Sequence, residues 1–368
     1  MNNIMQWLAM VEDKRQQAKV LHLIKDIIAI VFFAELANAT EWIEIYYFAV
    51  YQEKFLRKYL ELPNGIPSHD TIQRVFAMIS PAYLQAFRKR WDEVMSGNMG
   101  SKIKRILSID GKTQRGNGTS EQKANHIVSA VDERGICIGE TLTDEKSNEI
   151  TAIPELLNVL NIRKNIVTID AMGCQTEIAK LIRNKQADYV LALKGNQGNL
   201  HDDVKEYFGD PELLKECAYT KTIEKAHGGI EKREYWQTDN VSWISQKKDW
   251  LGLTTIGMTK NTITKDGETK IETRCFISSL PLDVKEMARA IRGHWMVESY
   301  HWHLDVTFRE DANHTIEKDA AFNLNIIKKM AINTLKLVDV GIQKISLKNK
   351  RYAISMNFEK YFETIMAI

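Results

Sequence analysis

Two aspartates, Asp110 and Asp170, each follow an apolar run and precede a small residue, in "LSIDGK" and "VTIDAMG". If the two runs are neighbouring strands, the carboxylates meet at one edge of a sheet and raise each other's pKa unless a cation lies between them. Mg²⁺ is usually bound by one or two carboxylates together with substrate phosphates. An aspartate at a strand end is also a common turn residue. The pair, rather than either residue alone, therefore favours a site for metal-dependent phosphoryl transfer.

A third carboxylate stands in "IRGHWMVESYHWHLDVTFRED", where Glu298 lies among aromatic and imidazole side chains. On a helix, residues at offsets of three, four and seven share a face. Around Glu298 the residues at these offsets are His294, His301, Trp302 and Asp305. This face could complete a metal site, belong to a nucleic-acid groove, or be a polar rim beside an ordinary core. A helical-bundle di-iron site is disfavoured, because it would need a second Glu-x-x-His motif on a partner helix.

The segment "ALKGNQGNL" predicts a strand that ends abruptly in a polar loop. Glycine permits close approach of a backbone, and the side chains of Lys194 and Asn196 could bond to phosphates or base edges. Without further context, a polar loop with a glycine turn is the favoured interpretation. The segment is not a P-loop, because the GxxxxGK[ST] spacing is absent.

Residues 102–198 contain the elements that must position the aspartates. "KRILSIDGKTQ" predicts a strand, "NHIVSAVDERGICIGETL" predicts two strands around a turn, and two helix–strand units follow. The order β-β-β-α-β-α-β requires a sheet with parallel neighbours and helical cover. It is the order of the α/β ribonuclease-H-like core. In that topology the first and fourth strands are adjacent, which brings Asp110 and Asp170 together.

The remaining chain is predicted to form three further regions. Residues 1–97 have helical periodicity with aromatic faces, and we expect an all-helical N-terminal domain that binds DNA or mediates dimerisation. Residues 199–280 predict a β-rich insertion of two hairpins. Residues 281–340 return to helix and complete the catalytic core, and residues 341–368 form a C-terminal tail.

Composition excludes several classes of protein. The 368 residues carry a net charge of +2 and are 44% hydrophobic, as in ordinary globular proteins. The four cysteines form no CxxC pair, which indicates neither a zinc knuckle nor a disulfide framework and favours a reducing compartment. The N-terminus lacks signal-peptide features, and the run "IIAIVFFAELA" is too short to span a bilayer. We therefore expect a cytoplasmic protein without a membrane partner.

Basic residues are concentrated near the C-terminus. The segment "IIKKMAINTLKLVDVGIQKISLKNKR" contains seven basic residues and one acidic residue. Such a face could hold phosphates, or it could simply be solvated. Charge alone leaves both interpretations open.

Taken together, these segments resemble the DDE transposases, and more closely the H-repeat-associated group of bacterial insertion-sequence transposases. "LELPNGIPSHDTIQRVF" is similar to the helical associated domain of that group. "SIDGKTQRG", "VTIDAMGCQ", "YVLALKGNQ" and "RGHWMVESYHWHLDVTFRED" are similar to its catalytic blocks. The resemblance implies a catalytic, metal-binding triad of Asp110, Asp170 and Glu298 with two Mg²⁺ or Mn²⁺ ions. It also implies DNA cleavage and strand transfer, binding of terminal inverted repeats and target DNA, a homodimer in the active complex, and a nucleoid-associated location in bacteria.

The region around Glu298 departs from a pattern of related insertion-sequence transposases, which carry Tyr, Arg and Lys around the third acid in a Y-x2-R-x3-E-x6-K arrangement. At those positions this sequence has Ile291, His294 and Asp305. A protonated His294 could replace the Arg as a phosphate donor, and Arg292 lies close by. Further candidates for contacting DNA phosphates are Lys194, Asn196 and Arg115. Two alternatives stay open: a nuclease of the same fold without strand transfer, and an inactive DNA-binding derivative.

Overall fold

The computed structural model describes residues 8, 11, 13, 15–96, 105–143, 149–226 and 228–366. Nine strands occur among them: β1 (Ile106–Thr113), β2 (His126–Asp132), β3 (Cys137–Leu142), β4 (Ile166–Ile169), β5 (Asp188–Leu193), β6 (Ala218–Ala226), β7 (Gly229–Thr238), β8 (Thr255–Lys265) and β9 (Glu268–Ser278). They form one sheet in the order β3-β2-β1-β4-β5-β9-β8-β7-β6. The pairs β1–β4 and β4–β5 are parallel, and the other neighbours are antiparallel. The sheet is therefore mixed, as an α/β fold requires.

The described part of the chain also contains thirteen α-helices. They are α1 (Ile24–Leu36), α2 (Trp42–Tyr51), α3 (Glu53–Leu56), α4 (His69–Met78), α5 (Pro81–Ser96), α6 (Glu149–Val159), α7 (Thr176–Asn184), α8 (Gly198–Gly209), α9 (Pro211–Glu216), α10 (Val284–Trp302), α11 (Lys318–Leu337), α12 (Leu347–Met356) and α13 (Phe358–Met366). The starts of α4 and α5 follow local capping preferences. The hydroxyl oxygen of Ser68 accepts a hydrogen bond from the Thr71 N–H, and Pro81 is the first residue of its helix.

Alternating residues of the central strands pack against helices on opposite faces of the sheet. Leu107 and Ile109 belong to a buried cluster that includes residues of α6 and α7. Ile106 belongs instead to a cluster that contains Met287 and Ala290 of α10. The sheet is thus covered on both faces, and α10 lies on the face opposite to α6 and α7.

The four strands of the β-rich region continue the central sheet. Strand β9 pairs with β5 in antiparallel fashion, so that Leu193 lies opposite Cys275. The turn between β8 and β9 has positive φ at Asp266 (51°) and Gly267 (84°), the conformation favoured in two-residue hairpins. These strands extend the sheet as a wall beside the strands that carry the aspartates.

The N-terminal and C-terminal helices share one apolar core. Phe33 and Phe55 contact Phe362 of α13, with 5.1 Å between ring centroids in each case. The indole N–H of Trp91 donates to the Thr334 hydroxyl on α11 at 2.9 Å. The predicted domain boundaries stay a prediction, but the described N-terminal helices pack against α11 and α13 near the C-terminus.

Several residues of the basic C-terminal segment are buried and paired. Lys328 and Arg351 are each 1% exposed in their side chains and lie 3.5 and 3.0 Å from the carboxylate oxygens of Glu35. Lys329 donates to the Ser129 hydroxyl at 2.8 Å. These three cations are therefore neither a solvated face nor a phosphate-binding surface, and both interpretations were wrong for them. Their partners lie on distant elements that the local charge pattern does not reveal.

In the described part of the chain, no helix is both long enough and apolar enough to cross a membrane.

Candidate active site

Strand register places the two predicted aspartates side by side. The last residue pair of the parallel β1–β4 ladder is Ile109 with Ile169, and Asp110 and Asp170 follow directly. Both aspartates are half-buried. Asp110 and Asp170 therefore lie next to each other at one edge of the sheet, as the two apolar runs that end in Asp predicted.

A third carboxylate joins this pair from α6. One carboxylate oxygen from each of Asp110, Glu149 and Asp170 lies within 4.8 Å of the other two. Hard divalent cations prefer such oxygen donors, and these residues fit that requirement. Glu149 was not a sequence-based candidate. It begins a helix without any motif around it, so that only the fold could reveal its position.

Glu298 faces the same region from α10. Helix α10 approaches β1 closely at Gly293. A Cβ at this position would lie only 2.9 Å from Ile106 Cδ1. The Ser108 hydroxyl on β1 also donates to the Gly293 carbonyl at 3.0 Å. Desolvation raises the pKa of Glu298, Arg274 opposes the shift, and Asp110 adds to it. The carboxyl of Glu298, although its residue is partly open to solvent, therefore senses the negative charge of Asp110.

One cavity of about 580 Å³ contains the predicted acids. Its walls are the ends of β4 and β5, the wall formed by β7 to β9, and α10. Acidic residues lining it are Asp110, Asp170, Glu272 and Glu298. Basic residues lining it are Lys194, Lys205, Arg233, Lys260, Arg274 and Arg292. Carboxylates that could hold cations thus share a cavity with cations that could hold phosphates.

The DNA-binding candidates occupy three different settings. Lys194 and Arg292 are exposed and line the cavity. Asn196 donates its side-chain amide to the Ala171 carbonyl at 2.7 Å and so ties the loop after β5 to the loop that carries Asp170. Arg115 has an 84% exposed side chain and lies outside the cavity lining.

His294 lines the cavity as a half-buried imidazole. Its Nδ1 lies 3.1 Å from the Thr168 hydroxyl oxygen, and burial lowers its pKa below the ordinary value. The protonated form that a phosphate donor would need is therefore disfavoured at neutral pH. Arg274 of β9, which sequence reasoning missed, supplies a permanent cation near Glu298.

Trp295 is part of the cavity wall and is not only a packing residue. The Arg292 guanidinium lies 4.3 Å and the Arg233 guanidinium 5.2 Å from the ring centroid. Other tryptophans have packing roles: Trp250 is 3% exposed, and Trp243 stacks on Tyr207 at 5.3 Å.

A second group of acids lies next to the site and is already paired with a lysine. Asp305, Glu310 and Asp311 surround the Lys112 ammonium at 2.7, 2.9 and 3.1 Å. Burial would lower the pKa of Lys112, but Glu310 and Asp305 outweigh it and raise the pKa. This group is an ion-pair network that anchors the chain after α10 to β1, and Asp305 thereby acquires a structural role.

Comparisons with known proteins agree with this geometry. A family model described as "Transposase DDE domain" matches residues 101–334, and one described as "DDE_Tnp_1-associated" matches residues 5–92. The chain belongs to the DDE transposase family. Membership implies a ribonuclease-H-like fold, action on DNA and dependence on a divalent metal.

Two curated relatives of this DDE transposase cover nearly all of it. "Putative transposase YncI" of Escherichia coli O157:H7 is 39% identical over 99% of this chain and 94% of its own length. "H repeat-associated putative transposase YhhI" of Escherichia coli strain K12 is 36% identical over 97% of each chain. The predicted resemblance to the H-repeat-associated group is therefore confirmed.

Proposed function

We propose that this protein cleaves DNA at the ends of a mobile element in a metal-dependent reaction and joins the freed 3′ ends to target DNA. The observation that carries the proposal is the convergence of Asp110, Asp170 and Glu298 on one cavity with a basic rim. The three acids come from two adjacent strands and one helix, as the ribonuclease-H-like topology would arrange them. The strand order β3-β2-β1-β4-β5 supports that topology for the catalytic core.

Asp110, Asp170 and Glu298 would together hold two Mg²⁺ or Mn²⁺ ions. Bound there, such ions stabilise negative charge on the attacking and leaving oxygens of a phosphodiester. The protein's own contribution is to fix the carboxylates. The β1–β4 ladder sets the positions of Asp110 and Asp170, and the close approach of Gly293 to Ile106 sets the position of α10, which carries Glu298.

The basic rim would orient the DNA backbone. Lys194 lies beyond the end of β5, Arg274 lies on β9 and Arg292 lies on α10, so that they surround the acids on three sides. Phosphate contacts of this kind fix register without reading sequence. The neutral His294 would contribute a hydrogen bond through its ring rather than a charge. Since two element ends must be joined, the active complex is proposed to be a homodimer in the bacterial nucleoid.

Cleavage of a duplex carrying the element's inverted repeat tests the assignment. We expect Asp110→Asn and Glu298→Gln to reduce Mg²⁺-dependent nicking to background while the protein still binds the duplex. Glu177→Gln is the matched control, because the Glu177 side chain is 80% exposed on α7. Full metal-dependent cleavage by either variant would contradict the assignment.

Strand transfer is tested separately with pre-cleaved ends. A transposase joins a duplex with a recessed 3′ hydroxyl to a target plasmid, whereas a nuclease of the same fold cleaves but does not join. Binding without either reaction in the unaltered protein would indicate an inactive DNA-binding derivative.

A further inference from the structure

We propose that Glu149 is a further metal-binding residue of this site and that His126 positions it. The inference rests on the proposed function, because it concerns the metal site of that reaction. It adds a fourth carboxylate to the three acids predicted from sequence.

Proximity is the first argument. In the described part of the chain, Glu149 shares with Asp110 and Asp170 a set of oxygens that lie within 4.8 Å of one another, and Glu298 is not in that set. The side chain of Glu149 is only 12% exposed. Three carboxylates this close repel one another, and a cation among them relieves the repulsion.

The orientation of Glu149 is the second argument. His126 Nε2 lies 2.8 Å from Glu149 Oε1, and His126 Nδ1 lies 2.8 Å from the Thr113 hydroxyl oxygen. A neutral imidazole that accepts from the Thr113 hydroxyl at Nδ1 donates to Glu149 from Nε2. One Glu149 oxygen is thereby fixed, and among the described residues the other has no hydrogen bond that would keep it from a cation. Residues that hold a metal-binding carboxylate in this way also determine metal affinity.

The backbone beside Asp110 is the third argument. A Cβ placed on Gly111 would lie 2.2 Å from Glu149 Oε1 and 2.4 Å from His126 Nε2. Any larger residue at this position would displace the His126–Glu149 pair from its place beside β1. The small size of Gly111, directly after Asp110, therefore makes room for Glu149, whereas Glu298 is not among its near neighbours.

The site therefore has two groups of acids, and Asp110 lies between them. On one side Asp110 meets Glu149 and Asp170, and on the other its charge acts on Glu298. Asp110 thus belongs to both groups of acids, and Glu149 and Glu298 approach it from helices on opposite faces of the sheet.

Mn²⁺ binding to the full-length protein without DNA tests the proposal, with free Mn²⁺ measured by electron paramagnetic resonance. We expect Glu149→Gln to weaken Mn²⁺ binding about tenfold or more. Glu155→Gln, an exposed glutamate on the same helix, is the matched control and should bind as the unaltered protein does. Asp110→Asn should also weaken binding. If Asp110→Asn weakens binding and Glu149→Gln does not, the Glu149 assignment is wrong while the proposed function stands. If neither variant changes binding, the proposed metal site itself is wrong.

Two substitutions of His126 test the positioning role. The side-chain amide of a glutamine can place a donor where Nε2 lies, so His126→Gln should keep most of the Mn²⁺ affinity. His126→Leu removes the donor and should weaken binding several-fold. Equal affinity in the two variants, with matching thermal unfolding, would overturn the positioning role. If Glu149→Gln fails to fold, Glu149→Asp provides the second measurement, because the shorter carboxylate should likewise weaken Mn²⁺ binding.

Discussion

His301 Nδ1 lies 3.4 Å from Asp110 Oδ2, so a side chain one helical turn after Glu298 contacts the aspartate that follows the end of the β1–β4 ladder. The His301 side chain is 12% exposed, and its Nε2 is buried without a hydrogen-bond partner among the described residues. The polar interactions of this ring are therefore directed at Asp110. Helical spacing predicted that His301 shares a face with Glu298, and in the structure His301 contacts Asp110.

We predict that His301 is needed to hold Asp110. His301→Leu should raise the Mg²⁺ concentration required for half-maximal cleavage several-fold, because Asp110 loses the polar ring nitrogen that lies 3.4 Å from its carboxylate. His301→Asn should lie closer to the unaltered protein, since its amide nitrogen can replace Nδ1. The measurement is a Mg²⁺ titration of DNA nicking, with the exposed His314→Asn as control. An identical requirement in the Leu and Asn variants would contradict the role of Nδ1.

The ion-pair network around Lys112 is predicted to stabilise the fold. Glu310 is 4% exposed, and removing the Lys112 ammonium would leave its charge buried without its main partner. We expect Lys112→Met to lower the free energy of unfolding by about 3–5 kcal/mol, the range for breaking a buried pair. Urea unfolding measures this change.

An exposed lysine provides the comparison for Lys112. Lys180 has a 57% exposed side chain and pairs with Glu177, so Lys180→Met should change the free energy of unfolding by less than about 0.5 kcal/mol. Adding Glu310→Gln to Lys112→Met should recover part of the loss, because the second change removes the unpaired charge. No recovery would mean that Lys112 acts through packing of its stem.

Glu44 is predicted to make stability depend on acidic pH. Partial desolvation would raise its pKa, but hydrogen bonds from the Thr40 N–H and Arg309 outweigh it and lower the pKa from 4.5 to about 2. A lowered carboxyl pKa contributes stability that is fully present above the unfolded value of 4.5 and is lost as pH falls towards 2. Because the side chain is 36% exposed, solvent screening makes this contribution modest.

The measurement is urea unfolding of the unaltered protein and Glu44→Gln between pH 6 and pH 2.5. We expect the difference in their free energies of unfolding to be constant above pH 4.5 and to narrow below it. Glu53→Gln, which removes an exposed partner of Arg57, is the control for loss of a surface carboxylate. A difference that stays constant to pH 2.5 would show that Glu44 is not the source.

The parts of the fold that local patterns determine were predictable. Apolar runs that end in Asp correctly predicted strands β1 and β4, and the register of that pair brings Asp110 and Asp170 together. Asp110 is not at a strand end, because β1 continues to Thr113 through its pairing with β2. The mixed sheet followed from the order of strands and helices. Each of these features depends on residues that are close in sequence or on the topology of the strands.

Features that depend on distant partners were not predictable. Lys112 and Glu310 are 198 residues apart, and Arg351 and Glu35 are 316 apart. Nothing in the sequence around Glu149 indicates that it reaches the aspartates, and nothing around Arg274 indicates that it lies near Glu298. The charge pattern near the C-terminus predicted an exposed basic face for Lys328 and Arg351. Both are buried instead, because their counter-ion, Glu35, lies on the first helix.

The buried ion pairs that connect α11 and α12 to α1 affect how a gene copy of such a transposase would lose its function. A gene copy that had lost its 5′ end would encode a chain without Glu35, so that Lys328 and Arg351 would be buried without their carboxylate. The same deletion would remove Phe33 and Phe55 from the aromatic packing around Phe362. The acidic residues of the candidate site would still be encoded, but the protein would lack part of the apolar core on which that site rests. Loss of the gene's beginning would therefore silence the element through misfolding, with its catalytic codons intact.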